Sequence, residues 1–365
     1  MSHDVMTPDS HDGPDGPRSR RAAKPRKRHR GLKITLAVLV VLLLAAGGTA
    51  YWLYSRLDGN INGVDIDKAL GEDRPEKLPT AGQNLLVLGS DSRAGAENKE
   101  LGGGGAVGGA RSDTALVVHI PEGRQKAVAV SIPRDTLVTR PECAKDDGST
   151  MPSAERVMFN SVYSQVGPAC VVKTVEKMSG VRIDHYMEIN FAGFKDLVDA
   201  IGGVTVDVEE PIHDKSSGLD LTAGTHKLDG TESLAYVRTR HGIGDGSDLG
   251  RIGLQQQFLM ALLTEVKSQD LLGSPTTTYK IADSATKALT TDEGLASLTS
   301  LSEFARSMNG VDPSSMETIM LPVAYDKTDP NRVVAAQPQA DTLWKAVRED
   351  AAIPESAKKS PATGG

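Results

Sequence analysis

The feature that most constrains this 365-residue chain is a run of 21 uncharged residues from Ile34 to Tyr54. At about 1.5 Å per residue, a helix of that length covers roughly 30 Å, the hydrocarbon thickness of a bilayer. No second run of similar length follows, so the pattern predicts one membrane-spanning helix over residues 34–54. The charge is divided across this run. Residues 1–33 hold nine Lys or Arg against four Asp, a net of +5, whereas the whole chain carries −7 and the remainder therefore −12. Basic residues stay on the cytoplasmic side, which places 1–33 inside and everything after Arg56 outside, with Tyr51, Trp52 and Tyr54 at the outer interface. A cleaved signal peptide is the competing reading, because Gly48-Thr49-Ala50 resembles a cleavage site. Against it, the basic segment is long for an n-region and the apolar run long for an h-region.

Residues 1–33 are rich in Pro, Gly, Ser, Asp and base and have little to bury, so they read as a disordered tail able to rest on anionic membrane lipid. They contain no helix-turn-helix pattern, and the outer part is acidic. Both points argue against a nucleic-acid partner. Residues 55–82 lack a strong apolar period and contain Pro75 and Pro79, which suggests a stalk with a short helix near Asp65 to Leu70. Residues 83–352 are expected to form one folded domain and 353–365 a flexible end. Cys143 and Cys170 are the only cysteines, both on the exported side, where a disulfide is the default for such a pair.

Within the domain, Asn84–Leu88, Ala115–Ile120 and Ala127–Ile132 are short apolar β-rich runs bounded by Gly or Pro, as buried strands are. Further strands are expected at Tyr186–Asn190, Val204–Val208 and near Ile319–Pro322. Helices are expected at Pro168–Ser179, Phe191–Ile201, Thr231–Thr239, Asp248–Val266, near Asp292–Met308 and at Gln339–Glu349, with a linker around Pro275. Strands alternating with helices imply an α/β fold, a central mixed sheet covered by helices.

Charged motifs fall at the ends of these strands. Gly89-Ser90-Asp91-Ser92-Arg93 follows the first, Arg111-Ser112-Asp113-Thr114 precedes the second, and Ser131-Ile132-Pro133-Arg134-Asp135-Thr136 closes the third. Later, Tyr236-Val237-Arg238-Thr239-Arg240 leads through a Gly- and Asp-rich loop to Asp248-Leu249-Gly250-Arg251, with Gln255 one turn beyond Arg251 on the same helix face. This inventory suits a diphosphate. Guanidinium forks bind phosphate oxygens bidentately and keep their charge, and paired carboxylates hold a hard cation such as Mg²⁺ that also takes phosphate oxygens. The glycine-rich insert Leu101–Gly109 lacks the GK[ST] sequence of a phosphate loop, the histidines follow no metal-binding spacing, and Ser131 is not in a G-x-S-x-G elbow. The FNSVY segment, with Asn160 and Tyr163, lines a site or simply starts a helix.

With these motifs in this order, the chain resembles the LytR-CpsA-Psr family of bacterial wall-polymer ligases over about residues 82–266 and more loosely to 350. The segments GSDSR, RSDT, SIPRDT, DHYMEINFAGFKDLVDAIGGV, GLDLTAG…LDG and YVRTR…DLGRIGLQQQ carry the likeness. The resemblance implies a phosphotransferase that moves a glycopolymer from a polyprenyl diphosphate carrier to a peptidoglycan sugar hydroxyl and leaves polyprenyl phosphate. It implies a cell-membrane protein with its catalytic domain outside, Asp91 and Asp113 as ligands of Mg²⁺ (Mn²⁺ being an alternative), and Arg134, Arg238, Arg240, Arg251 and Gln255 on the diphosphate. Asp248 matches an acidic position beside the diphosphate, where it orients an Arg or assists deprotonation. Phe191, Phe194, Leu197, Val198, Phe258 and Leu259 are candidate walls for the lipid tail. The chain departs from the family in having Leu254 where an Arg usually precedes the Gln-Gln pair, and in the glycine-rich insert between Asp91 and Asp113. Hydrolysis of the diphosphate uses the same residues, and a non-catalytic membrane-bound envelope regulator is the reading from another class.

Overall fold

The computed structural model of the chain describes residues 28–77, 80–90, 112–123, 126–145, 147–239, 248–269, 274–308 and 310–363. A single helix, α1, runs from Arg28 to Asp58, and its stretch from Gly31 is long and apolar enough to cross a membrane. Residues up to Leu53 form one compact unit and those from Tyr54 a second. The last turn of α1 belongs to the second unit: Leu57 is buried, the Leu298 amide donates to Asp58, and the Tyr54 hydroxyl meets that of Thr299 at 2.9 Å.

The expectation of a stalk over 55–82 is therefore corrected. Asn62–Val64 (β1) is a strand of the main sheet, and Ile66–Leu70 (α2), capped by the Asp65 side chain on the Lys68 amide, buries Ile66 and Leu70 in the core. The short helix expected near Asp65 to Leu70 is present as α2; its burial in the core and the strand before it are what the sequence pattern does not show.

The main sheet contains β1 and six longer strands: β2 (Gln83–Ser90), β3 (Ser112–Ile120), β4 (Val128–Ser131), β5 (His185–Asn190), β6 (Leu289–Asp292) and β7 (Glu317–Met320), in the order β1-β6-β5-β2-β3-β4-β7. It is mixed. The pairs β2–β3, β3–β4 and β5–β6 are antiparallel, whereas β2–β5, β1–β6 and β4–β7 are parallel. Alternation along the strands sends Leu86, Leu88, Ala115, Val117, Val130 and Tyr186 to one face. There they pack on Phe159–Val166 (α3), Pro168–Ser179 (α4) and the late helix Gln339–Arg348, whose Leu343, Trp344 and Val347 are buried.

The opposite face meets Phe191–Ile201 (α5), Gly230–Arg238 (α6) and Asp248–Ser268 (α7). These helices have a core of their own, in which Val198, Tyr236, Leu254 and Phe258 pack against the hairpin Val204–Val208/Gly224–Leu228. Caps fix where the helices begin. The Asn190 side chain accepts from the Gly193 amide at the start of α5, and Asp229 with Glu232 forms a complete capping box at the start of α6. Gly230 is required there, because a Cβ would sit 2.3 Å from the Lys195 carbonyl oxygen of α5.

Pro275 opens a helix, α8 (Pro275–Ala288), rather than a linker; proline at the first helical position gives up only an amide that would be unpaired anyway. Gly193 of α5 faces α8 so closely that a Cβ would lie 2.4 Å from the Ala288 Cα. The C-terminal end is also corrected from flexible to packed over its described part. Ile353 and Ala357 are buried, and the Ser360 hydroxyl binds both the amide and the carbonyl of Val323.

Cys143 and Cys170 form a disulfide that ties the loop after Leu137–Arg140 to α4. Closing a loop of 27 residues constrains the unfolded chain by about 3–4 kcal/mol in the chain-entropy model. Replacing both cysteines by Ser should lower the urea midpoint of the full-length protein by a corresponding amount, while an unchanged midpoint would show that the reduced chain keeps the loop closed by packing alone.

Candidate active site

The antiparallel register of β2 and β3 brings the two acidic motifs to one place. Gly89 faces Thr114 and Ser90 faces Ser112, with an irregularity between Gly89 and Ser90. Asp91 follows Ser90 in the chain, and Asp113 lies between Ser112 and Thr114. The chain neighbours of both carboxylates are thus paired at the same sheet end, across the glycine-rich insert. Asp91, Arg240 and the insert lie outside the described residues, as do the side chains of Asp113 and Asp248.

Arg134 stands on a tight turn after β4. The Thr136 amide and hydroxyl both donate to the Pro133 carbonyl, and the Asn160 amide at the start of α3 donates to the Arg134 carbonyl. Arg134 lies 3.6 Å from Asp135, which also pairs with Arg332 at 3.4 Å. The Asn160 side-chain oxygen is buried with no hydrogen-bond partner among the described residues, an orphaned acceptor beside this turn. Asn160 therefore lies in the first turn of a helix, beside the turn that carries Arg134. Next to it, the Tyr163 and Tyr186 hydroxyls donate to buried Glu188 at 2.8 and 2.7 Å. Burial, reinforced by the Glu188 charge, pushes the Tyr186 phenol well up from its ordinary range, so it remains a donor.

Arg238 ends α6, and its guanidinium carbon sits 5.1 Å from the centre of the Phe191 ring. Arg251 and Gln255 lie one turn apart on α7. Arg251 is buried, and the Gln255 carboxamide donates to the Val237 carbonyl at 3.0 Å. Gln256 donates to the Ser131 hydroxyl at 3.2 Å, tying α7 to the strand that ends in the Arg134 turn. Leu254, at the position where the family usually has Arg, points into the second core.

Between the second face of the sheet and α5, α6 and α7 lies an open-mouthed cavity of about 150 Å³. Its walls are almost wholly apolar: Val87, Leu116 and Ile189 from the sheet, Phe191, Phe194 and Leu197 from α5, and Phe258, Leu259 and Leu262 from α7. Five of the six expected wall residues line it, whereas Val198 is fully buried in the second core. Gly89, Thr114, Val237 and Gln255 also line it, and each is a chain or helix-turn neighbour of a candidate site residue. Sequence reasoning missed Glu188 and the sheet contribution; the alternation of Val87, Leu116 and Ile189 with core residues was the available signal.

Removal of the Glu188 carboxylate leaves the wholly buried Tyr186 hydroxyl without its acceptor. Glu188→Ala should lower unfolding stability by roughly 1–3 kcal/mol, measured by urea denaturation, and Glu188→Gln, which retains an acceptor oxygen, should lose less.

Fold and site define a class: a mixed α/β domain following an apolar helix, with arginines bordering an apolar cavity at one end of the sheet. The LytR_cpsA_psr family model matches residues 53–349, and the chain belongs to that family. It is 36% identical over 286 residues to a probable cell wall biosynthesis protein, LcpB, of Corynebacterium glutamicum, a match covering 77% of this chain and 63% of that protein's length. It is 31% identical over 262 residues to the polyisoprenyl-teichoic acid–peptidoglycan teichoic acid transferase TagT of Bacillus subtilis, covering 69% and 75%. The fold matches that of a LytR-Csp2A-Psr enzyme from Actinomyces oris with a TM-score of 0.58 at 23% identity, over 78% of this chain and 95% of that one.

Proposed function

We propose that the chain is a membrane-anchored phosphotransferase that moves a glycopolymer from a polyprenyl-diphosphate donor to a peptidoglycan sugar hydroxyl, forming a phosphodiester. The observation that carries this reading is the stripe along α7. Arg251 and Gln255 are followed on one face by Leu259 and Leu262, so the helix passes from charge to apolar cavity wall over about 16 Å. Such a gradient fits an amphiphile with an anionic head and a long apolar tail. Arg238 above Phe191 makes the same transition on the other side. The transferase name of TagT, a relative of this chain, agrees with it.

Arg134, Arg238, Arg240 and Arg251 would bind the diphosphate oxygens, and Gln255 would hold α6 to α7 so that the arginines converge. Asp248 would orient one of them or accept the proton of the acceptor hydroxyl. That hydroxyl oxygen attacks the sugar-side phosphorus, and the bond from this phosphorus to the bridging oxygen breaks. The electron pair leaves with polyprenyl phosphate, whose tail is held in the cavity. The fixed guanidinium groups hold the oxygens to which charge shifts, in a site that does not have to reorganise during the step. Asp91 and Asp113 fit a divalent cation by donor chemistry, two hard carboxylates next to paired residues, and Mg²⁺ bound there would offset diphosphate charge. The α1 helix fits a single-pass anchor with residues 1–33 in the cytoplasm, and the disulfide fits an oxidising exterior.

The test incubates the full-length protein in detergent with lipid-linked glycans, Mg²⁺ and peptidoglycan oligomers and seeks the phosphodiester product by mass. Arg238→Ala and Arg134→Ala should each reduce transfer by about 100-fold or more, the scale of losing one donor to a developing charge; full activity in both would overturn the assignment. Leu197→Trp, which fills the cavity, should raise KM for long-chain donors more than for short-chain analogues, and an equal effect on both would remove the tail from this cavity.

A further inference from the structure

A second cleft lies on the other side of the Arg134 turn. It holds about 220 Å³ and is lined by Asp135, Leu249, Tyr325, Asn331 and Val333 together with Pro133 and Pro330. Unlike the apolar cavity, it joins an aromatic ring to polar groups. Tyr325 is 48% exposed, and beyond Tyr54 it is the only large hydrophobic side chain so exposed among the described residues. Neither its hydroxyl nor the Asn331 carboxamide has a hydrogen-bond partner in the protein among those residues.

The loop bearing Asn331 is held in shape. Asp326, adjacent to Tyr325, accepts from Arg156, from the Thr328 amide and hydroxyl, and from the Asp329 amide, while its own amide donates to the Arg332 carbonyl. The paired Arg156 guanidinium, with Thr328 next, holds the Asp326 carboxyl far below the usual range, so the clamp is charged throughout the neutral region. Arg156 itself has a left-handed backbone (φ 56°), an unusual conformation for a side chain of its size. The loop is also joined to the Arg134 turn, because Val333 donates to the Asp135 carbonyl and Arg332 reaches the Asp135 carboxylate.

An exposed tyrosine face beside a carboxamide and a carboxylate, on a pre-shaped loop, is the chemistry that binds a sugar ring. The apolar face of the ring stacks on the aromatic, and its hydroxyls take up the polar groups. We propose that this cleft is the subsite for the acceptor glycan, with an amino-sugar ring on Tyr325 and its hydroxyls on Asn331 and Asp135. This rests on the phosphotransferase reading above and adds to it the place from which the nucleophile approaches. Leu249 of the cleft and Gln255 of the lipid cavity lie along one helix with Arg251 between them.

The experiment titrates peptidoglycan-derived tetrasaccharide into the full-length protein in detergent and follows binding by calorimetry, then measures transfer at varied acceptor. The wild type should bind the tetrasaccharide without any lipid-linked donor. Tyr325→Ala and Asn331→Ala should weaken binding and raise the acceptor KM about tenfold, with the donor KM unchanged, while Tyr325→Phe keeps the stacking face and most of the affinity. Because Tyr325 is largely exposed, its truncation should leave the unfolding midpoint in place. Absence of tetrasaccharide binding by the wild type, or wild-type affinity in both alanine variants, overturns the subsite. Binding that depends on Tyr325 without any transfer would uphold the subsite as a glycan site and defeat the phosphotransferase reading instead.

Discussion

The pairing of β2 with β3 is the constraint on which the rest of the molecule depends. It is the central antiparallel contact of a seven-stranded sheet, and its alternation decides which side chains go to which face. Leu86, Leu88, Ala115 and Val117 go to the face that α3 and α4 cover completely. A slip of one residue in either strand would move its side chains to the opposite face, taking Leu86 and Leu88, or Ala115 and Val117, out of the first core. The same register sets Ser90 against Ser112, so the two acidic motifs adjoin whatever the length of the insert between them. Loop length changes closure entropy only slowly, which is why a strand pair can accommodate so long a connection.

The second face is used differently. The helices over it spend their apolar residues on a separate core with the hairpin at 204–228, and this leaves Val87, Leu116 and Ile189 against a cavity rather than against side chains. An apolar void of this size loses the dispersion contacts that fill an ordinary interior. It persists because the surrounding supports are rigid. Gly193 and Gly230 permit backbone contacts that hold α5 to α8 and α6 to α5, and Gln255 fastens α7 to α6. The cavity thus stands open to an apolar ligand, with Arg238 over the Phe191 ring that lines it, which is the arrangement the proposed function uses.

Much of this was legible in the residues, where local chemistry and tertiary demand agree. Val204–Val208, Pro168–Ser179 and Phe191–Ile201 have the bounds that pattern and caps predict, because each has a clear period and a terminating glycine or turn. Pro275 misled, since a proline that breaks a helix and one that begins it look alike without the flanking geometry. The helix at Ile66–Leu70 is expected from the sequence, whereas the strand at Asn62–Val64 and the packed segment 353–363 are not, because they are short and find their partners far away in sequence, β1 on β6 and Ser360 on Val323. At the site, strand-end arginines and carboxylates stood out as motifs. Glu188 did not, because a lone carboxylate in a strand gains meaning only when two tyrosines from separate elements converge on it.

For the proposed diphosphate donor, the acidity of the chain after residue 33 makes the placement of the arginines decisive. A portion of the chain carrying −12 repels a diphosphate at long range, and at physiological salt this field fades within about 8 Å, so binding must be determined by groups in contact. Burial of Arg251 raises the effect of its charge, since water screens it less there than at the surface. In-line displacement at phosphorus needs the nucleophile and the leaving oxygen on opposite sides. Along α7 the order is Leu249 at the polar cleft, Arg251 buried, and Gln255 followed by leucines at the apolar cavity. In the proposed transfer one helix would hold the incoming sugar, the phosphorus and the departing lipid in sequence, and the link from Gln256 to Ser131 ties that helix to the strand that leads into the Arg134 turn.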